Sequence, residues 1–284
     1  MKKILVPVDF SKHSYQALEV GAQIAKKTNA KLYITHILSM PHYALTDGDT
    51  PASVYLIKLT RQKMNETLQK PFLEGVDVEE EIIYDEAITI VSEKANSLGV
   101  DLIIMGTHGA SGTEEMVIGS NTEKIVRMSD MPVLALKHRM ENFDVKDIAY
   151  ASNFYTENDS AFEKVKLFAD IYNAKIHLVK VVTPNVFERT PYSQKLMDDF
   201  AVRFSLTNFQ THIFNDDHID DGIIEFSRLN NMDLIAMNTH GRTGLARILN
   251  GSIAEGITNH SPLPVMSIRI ADSKKSDNIL FPKV

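Results

Sequence analysis

Cysteine is absent from this chain of 284 residues, which excludes a disulfide framework, a thiol nucleophile and a thiolate zinc site. Long apolar runs are also lacking, because no stretch approaches the roughly 20 apolar residues of a membrane span. The apolar run near the N-terminus meets Asp9 too soon to form the core of a signal peptide. Basic charge does not dominate either, since the formal net charge is −7 and phosphate-backbone binding usually needs a basic face. We therefore expect a cytoplasmic protein whose main partner is neither a membrane nor a nucleic acid.

A glycine-rich stretch, Met105–Thr122, contains the pattern Gly-x2-Gly-x9-Gly-Ser. It follows the apolar run Leu102–Met105, which predicts a short buried strand, and it overlaps a predicted helix over Glu114–Arg127. Glycine lacks a Cβ and permits close approach of the backbone, and the first N–H groups of a helix bind anions. The spacing differs from the dinucleotide fingerprint and lacks the Gly-Lys-Ser/Thr ending of the P-loop. The stretch predicts a backbone cradle for an anion, with ordinary turn glycines as the alternative.

The glycine pattern occurs twice, because Met237–Ser252 repeats it with Asn238 in place of Gly106. Around both copies, short apolar strands alternate with helical patterns, which is typical of parallel βαβ units. The sequence therefore predicts an α/β protein with two tandem domains, residues 1–140 and 145–270. Each is expected to be a doubly wound, Rossmann-like, five-stranded parallel sheet, and residues 271–284 form a tail that we do not assign. The first half is about twelve residues longer, and we expect the extra residues around Ser39–Ala52.

Several residues follow the predicted strands at the edge where doubly wound sheets bind ligands. Asp9 can accept hydrogen bonds from a ribose or an amino group, or it can simply cap the next helix. Ile37 and Met105 can form an apolar wall for a base, with an ordinary core role as the alternative. The amides of the glycine stretch, with the hydroxyls of Ser120 and Thr122, can cradle phosphates.

These residues together resemble the universal stress protein family. The resemblance rests on the Gly-x2-Gly-x9-Gly-Ser run and on a first strand of the Val-Pro-x-Asp-x-Ser kind, and it covers both halves. It implies binding of ATP, with or without Mg²⁺. Family members commonly pair through their last strand, which implies that Val133–Leu136 and Val265–Ile268 pair within the chain as an internal pseudo-dimer. Further homo-dimerisation is left open, and no protein partner is predicted. The implied adenine and ribose contacts are Pro7, Val8, Asp9 and Ile37, and the implied ribose and phosphate contacts are Met105, Gly106, His108, Gly109, Gly119, Ser120, Asn121 and Thr122.

The second half departs from the pattern, so we expect its site to be weakened or empty. Asn153 replaces the aspartate, Asn238 adds a side chain at the first glycine, and Ile253 and Ala254 replace Asn121 and Thr122. The alternative is that the second half still binds nucleotide in an altered geometry. The residues of this possible second site are Asn153, Val181, Met237, Asn238, His240, Gly241, Gly251 and Ser252.

A second cluster of polar residues lies between a predicted strand and a predicted helix of the second half. A solvated loop with helix-capping aspartates is the favoured interpretation, and a metal site is the alternative. The cluster consists of His212, Asp216, Asp217, His218, Asp220 and Asp221.

Taken together, these observations predict a protein that binds an adenine nucleotide in its first half, with at most slow turnover. The resemblance to the family implies a role in the stress response. We expect no catalytic residue, because no nucleophile or positioned carboxylate is evident beside His108. One alternative is a nucleotide hydrolase or nucleotidyl transferase in which Asp9 holds a metal ion. Another is an interaction protein that uses the pseudo-dimer surface and binds no nucleotide.

Overall fold

The structure is a computed structural model that describes residues 1–39, 50–85, 88–107, 119–155, 159–240 and 247–270. At Ser120, Asp159, His240 and residues 247–252 it describes the backbone alone. The elements of the first half (residues 1–140) are β1 (Lys3–Pro7), α1 (Lys12–Thr28), β2 (Lys31–Leu38), α2 (Pro51–Leu68), β3 (Val78–Tyr84), α3 (Ile90–Leu98), β4 (Leu102–Gly106), α4 (Ser120–Met128) and β5 (Val133–Leu136).

The second half (residues 145–270) repeats the alternation of strands and helices. Its elements are β6 (Asp147–Ala151), α5 (Asp159–Tyr172), β7 (Lys175–Val182), α6 (Thr190–Arg203), β8 (Phe209–Asn215), α7 (Ile219–Leu229), β9 (Leu234–His240), α8 (Arg247–His260) and β10 (Val265–Ile270). None of the helices in the described ranges is long and apolar enough to cross a bilayer.

All ten strands join one sheet in the order β3-β2-β1-β4-β5-β10-β9-β6-β7-β8. Neighbours within each half are parallel. The halves meet where β5 and β10 pair antiparallel, with Leu134 opposite Met266. The predicted α/β fold and the predicted pairing of the last strands within the chain are therefore both confirmed.

Local sequence explains where the first helix begins and ends. The Ser11 hydroxyl accepts a hydrogen bond from the Ser14 amide (3.2 Å), which makes Ser11 the N-cap of α1. Asn29 ends the helix in the left-handed conformation (φ 54°), which asparagine tolerates better than most residues.

The two faces of the sheet have different cores. On the face covered by α1, α2, α5 and α6, one continuous cluster of buried side chains runs through both halves, from Ile4 of β1 to Ile268 of β10. On the opposite face, the first half has its own cluster beneath α3 and α4, and the second half has two beneath α7 and α8. The shared face holds the halves together, because apolar burial is the main favourable contribution to such packing.

Two cationic side chains also make contacts across the junction between the halves, and they occupy equivalent positions of the repeat. Lys137, which follows β5, donates through Nζ to the carbonyl of Asn259 in the last turn of α8 (2.7 Å). Arg269, in β10, donates through Nη1 to the carbonyl of Met128 at the end of α4 (3.1 Å) and lies 3.2 Å from a carboxylate oxygen of Asp130. A cation at a helix C-terminus is favourable because the terminal carbonyls there carry partial negative charge. Each half thus caps a helix of the other.

Two predicted boundaries need correction. Within the described part of the helix predicted over Glu114–Arg127, the helix begins at Ser120, because Gly119 has an extended ψ of 134° and acts as the N-cap. Residues 114–118 of that prediction lie outside the described residues. The extra length of the first half is not confined to the predicted loop: α2 has 18 residues whereas α6 has 14. Most of that loop, residues 40–49, lies outside the described residues, as does the tail 271–284.

Candidate functional site

The candidate site lies where the strand order reverses. From β1 the chain runs outward to β2 and β3, and then crosses to β4 on the other side of β1. The carboxyl ends of β1 and β4 therefore flank a crevice of the kind in which doubly wound sheets bind ligands. Asp9 follows β1, Ile37 lies near the end of β2, and Gly106 ends β4. The described residues predicted for the first site thus come from four neighbouring segments, the fourth being the start of α4.

Asp9 is exposed and lies in a tight turn between β1 and α1. Its Oδ1 accepts a hydrogen bond from the Ser11 amide (2.9 Å), and its own amide donates to the Ser14 hydroxyl (3.3 Å). Phe10, between them, has a φ of 62°, which is rare and costly for an aromatic residue. Asp9 is thus held firmly, with one carboxylate oxygen in the turn, and it is not the N-cap of α1.

His36 fixes the backbone next to Asp9. Its Nδ1 lies 2.7 Å from the carbonyl oxygen of Val8, and because a carbonyl oxygen only accepts, Nδ1 carries the hydrogen. Burial lowers the pKa of His36 below its usual 6.5, so the ring is neutral at pH 7. The imidazole also stacks on Phe10, with ring centroids 4.3 Å apart. This contact supports the strained turn.

The apolar residues predicted for the first site divide between the two faces of the sheet. Ile37 and Met105 pack against the same cluster on the α3 and α4 face, Met105 buried and Ile37 half-buried. They can therefore form one wall of a pocket at this rim. Val8 is different, because its side chain is buried in the core of the opposite face and its amide donates to Thr35 (2.8 Å). Pro7 is half-buried at the end of β1.

The structure gives a reason for glycine at position 106 that the motif does not show. A Cβ at this position would lie 2.6 Å from the carbonyl oxygen of His13, in the first turn of α1. The glycine thus allows α1 to approach β4. Its own carbonyl accepts a hydrogen bond from the buried Thr122 hydroxyl (2.8 Å). Thr122 therefore joins α4 to β4, and its hydroxyl hydrogen is committed to that bond.

The backbone of Thr107 joins the two ends of the glycine stretch. The sequence did not identify Thr107 as a site residue. Its carbonyl accepts a hydrogen bond from the Gly119 amide (2.6 Å), and its amide donates to Leu136 of β5 (2.9 Å). The bond from Gly119 brings the two ends of the glycine stretch together, and the bond to Leu136 ties Thr107 to β5. The repetition of threonine at Thr239 was the available signal.

The two helix N-termini at this rim differ in their caps. The start of α1 is closed by the Ser11 side chain, whereas α4 begins at Ser120 after the N-cap Gly119, with no side-chain cap. The first N–H groups of a helix have no intrahelical acceptor, and in α4 these belong to Ser120 and the exposed Asn121. The arrangement can bind an anion at the start of α4. His108 and Gly109, predicted for the same site, lie outside the described residues, and the Ser120 side chain is not described.

The second half repeats the turn but changes its surroundings. Asn153 Oδ1 accepts from the Tyr155 amide (3.1 Å), and Phe154 again has a positive φ of 64°. Lys180, at the position of His36, donates to the carbonyl of Asn153 (3.2 Å) and forms an ion pair with Glu188 (2.8 Å). The turn is thus common to both halves, while the residue that supports it differs.

In the second half, α7 packs closely against β7 beside the crevice. A Cβ on Gly222 of α7 would lie 2.8 Å from Val181, which occupies the position of Ile37. A Cβ on Gly256 of α8 would lie 2.6 Å from Oδ2 of Asp220, so these helices also approach each other closely. Met237 is buried beneath them. Helix α7 therefore lies directly against Val181, which is half-buried, as Ile37 is.

The helix that follows the second glycine stretch, α8, begins earlier in the repeat than α4 does. It starts at Arg247, so Gly251 and Ser252 lie within α8, whereas Gly119 precedes α4. His240 ends β9, its side chain is not described, and Gly241 lies outside the described residues.

Asn238 does not point toward the candidate phosphate position. Its Nδ2 donates to the Tyr150 hydroxyl (2.7 Å), on the side where Gly106 faces α1 in the first half. The expectation that this side chain obstructs the glycine stretch is therefore not supported by its direction.

The His/Asp cluster of the second half splits into two groups. His212 lies in β8, and its Nε2 is 2.9 Å from Nδ1 of His177, whose Nε2 contacts Asp147 (2.8 Å). Asp216 Oδ1 accepts from the amide of Asp217 (2.7 Å) just before α7. Across the described residues, no group of three His, Cys, Asp or Glu side chains is placed to hold a metal ion. Asp220 and Asp221 lie in the first turn of α7, but the N-cap residue is His218 and no side chain caps this helix. The predicted capping by aspartates is therefore wrong, although the acidic first turn is favourable near the positive end of the helix dipole.

Comparison with known proteins agrees with the repeated architecture. Residues 1–137 and 145–269 each match the universal stress protein family model. A universal stress protein of Methanocaldococcus jannaschii is 30% identical over 139 residues, which is 48% of this chain and 82% of the relative. A universal stress protein of Staphylococcus haemolyticus, described as putative, is 32% identical over 145 residues, covering 48% and 84% of the two chains.

Solved structures share the fold across both halves. The crystal structure of a universal stress protein from Archaeoglobus fulgidus superposes with a TM-score of 0.72 at 20% identity and covers 95% of this chain and 97% of its own. A functionally unknown protein from Pseudomonas aeruginosa gives a TM-score of 0.68 at 18% identity, with 95% and 93% covered. With the two matches to the family model, these comparisons establish that the chain belongs to the universal stress protein family and contains the family's unit twice.

Proposed function

We propose that the first half binds ATP or a related adenine nucleotide, with Mg²⁺ on its phosphates, and that the second site is weakened. The observation that carries this proposal is the difference between the two helix N-termini at the reversal of strand order. Ser11 closes α1, whereas the glycine before α4 leaves that helix without a side-chain cap. A phosphate group is the ligand that suits such a helix start.

The surrounding residues supply the remaining parts of a nucleotide site. Ile37 and Met105 lie on the same face of the sheet as α4 and offer an apolar surface for the base. Asp9 is exposed and fixed by its turn, so its carboxylate can accept a hydrogen bond from a ribose hydroxyl. The motif of the glycine stretch, which resembles that of nucleotide-binding family members, supports the same ligand.

In the second half, the position of Gly251 and Ser252 within α8, rather than before it, argues for weaker binding. Family membership supports a role in the stress response, and the lack of cysteine fits a cytoplasmic location. We regard binding, with at most slow turnover, as the molecular activity that communicates this response.

Calorimetric titration of nucleotide-stripped protein with MgATP tests the proposal. We expect one site per chain. Asp9→Asn preserves the turn, because Asn153 makes the same turn in the second half, but it removes the charge. We expect affinity to fall about tenfold, the effect of one weakened charge-assisted hydrogen bond.

Asn153→Asp is the matched control, and it should leave both stoichiometry and affinity unchanged. Two equal sites in the unmodified chain would contradict the weakened second site. Absence of heat at millimolar MgATP, with the fold verified by circular dichroism, would refute nucleotide binding altogether.

A further inference from the structure

The β8 edge, Phe209–Asn215, is one end of the ten-stranded sheet. Among the described residues, β7 is its only neighbouring strand. None of its seven residues is fully buried, whereas most of β7 is. The strand is therefore open along its outer side, where its backbone groups can form hydrogen bonds with another strand.

The pairing with β7 determines which backbone groups face outward. The amide of Ile176 in β7 donates to the carbonyl of Asn208 (3.0 Å), and the amide of Asp216 donates to Val182 of β7 (3.2 Å). Because inward and outward groups alternate along a strand, the N–H and C=O groups of the odd-numbered residues face outward. These residues are Phe209, Thr211, Ile213 and Asn215.

The two edges of the sheet differ in charge. The opposite edge strand, β3, carries three consecutive glutamates, Glu79–Glu81, and charged side chains on an edge discourage pairing with another chain. The β8 edge contains no Lys, Arg, Asp or Glu. It has no such protection, although it is as long as β3.

We propose that the β8 edge is an interaction surface, and that its partner is the β8 edge of a second copy of this chain, paired antiparallel about a two-fold axis. A second copy suits the surface because the strand matches itself in hydrogen-bonding register. With the axis at His212, Thr211 lies opposite the partner's Ile213, so outward-facing groups meet on both sides. About eight backbone hydrogen bonds then join the two sheets.

Charge also favours self-pairing in this register. The acidic residues after β8, Asp216 and Asp217, come to lie beside the neutral positions of Asn208 and Thr207 in the other copy, so no like charges meet. The His212 side chain is bonded to His177 within its own chain (2.9 Å), which keeps it off the pairing edge. The surface is small, so we expect dissociation on the order of 10 µM, typical of transient interfaces.

The proposal does not depend on nucleotide binding, because the β8 edge is distant in the sheet order from the rim between β1 and β4. Sedimentation velocity from about 1 to 200 µM provides the test. The unmodified chain should show a mass that rises with concentration toward that of a dimer.

Thr211→Pro removes an outward N–H without touching a bond to β7, and proline is tolerated at such edge positions. Thr211→Val is the matched control, because both variants lose the hydroxyl that accepts from Gln194 (2.9 Å) but valine keeps the N–H. We expect Thr211→Pro to weaken association at least tenfold and Thr211→Val to associate like the unmodified chain. Asn215→Pro, at the exposed end of the strand, with Asn215→Ala as its control, repeats the test if Thr211→Pro fails to fold.

Hydrogen exchange adds an independent measurement. Protection of the Thr211 and Ile213 amides should increase with protein concentration. A chain that stays monomeric throughout would overturn the proposal, as would unchanged association of a folded Thr211→Pro variant. Full protection of these amides in the dilute monomer would also overturn it, because the chain would then cover its own edge.

Discussion

The reason for glycine at position 106 can be tested by adding a single methyl group. In Gly106→Ala the new Cβ lies 2.6 Å from the carbonyl oxygen and 2.7 Å from the carbonyl carbon of His13. Ordinary contacts begin near 3.4 Å, so α1 and β4 must separate by roughly 0.8 Å at this point. The obstacle is backbone, and no rotation of a side chain can relieve it. Overpacking of this kind costs about 1–3 kcal/mol, and we expect that loss in the free energy of unfolding.

Urea unfolding followed by circular dichroism measures this loss, and a double variant tests its cause. The loss of stability in His13→Ala/Gly106→Ala should be at least the sum of the losses in the two single variants. The clashing carbonyl of His13 belongs to the backbone, so it remains in the double variant. The rival explanation is that Gly106 is kept small for the approach of a nucleotide. It predicts unchanged unfolding with weakened MgATP binding, and that result would refute our reasoning.

Three further predictions concern charges in the structure. Lys137→Met removes the cation that caps the last turn of α8 and should lower the free energy of unfolding by about 1 kcal/mol in urea denaturation. An unchanged free energy of unfolding would show that this contact contributes nothing measurable to stability. Burial, followed by electrostatic interaction with His177 and Lys175, lowers the pKa of His212 to about 4. Because the unfolded side chain titrates near 6.5, the folded state binds fewer protons between these two pH values. Stability therefore falls as pH drops from 6.5 to 4, by about 1–2 kcal/mol after allowance for partial exposure. His212→Gln should flatten that part of the pH–stability profile measured by thermal unfolding, and a profile that is not flattened would exclude His212 as its cause. Lys180→Met leaves the half-buried Glu188 without its cation and should cost about 1–3 kcal/mol in urea denaturation. A charge-neutral Lys180→Met/Glu188→Gln variant should recover part of this loss, and an equally unstable double variant would argue against the ion pair.

The fold could be predicted because its signals are local and repeated. Most central strands are short apolar runs, the helices have periodic apolar faces, and the same order occurs twice in the chain. The pairing of β5 with β10 could not be derived from these patterns, since an antiparallel junction between two parallel sheets leaves no local signature. It came from the resemblance to the family.

Parts of the candidate site depend on contacts that are distant in sequence. His13 lies far from Gly106 in the chain, so the clash that excludes a side chain there is invisible in the motif. The Thr122 hydroxyl was expected to face phosphates, but it bonds instead to the carbonyl of Gly106. The tight packing of Gly222 against Val181 likewise follows from the placement of a helix rather than from either residue. Such contacts can be identified only in the folded structure.

The antiparallel junction of β5 and β10 has a consequence for how this protein can change over time. In a symmetric homodimer every substitution occurs twice, so both sites must change together. Here the two units are encoded separately, and one can lose or acquire a ligand while the other retains its own. Their union also withstands dilution, because two units on one chain meet at a fixed effective concentration. Asp9 and Asn153, in turns of the same shape, are an example of such independent change.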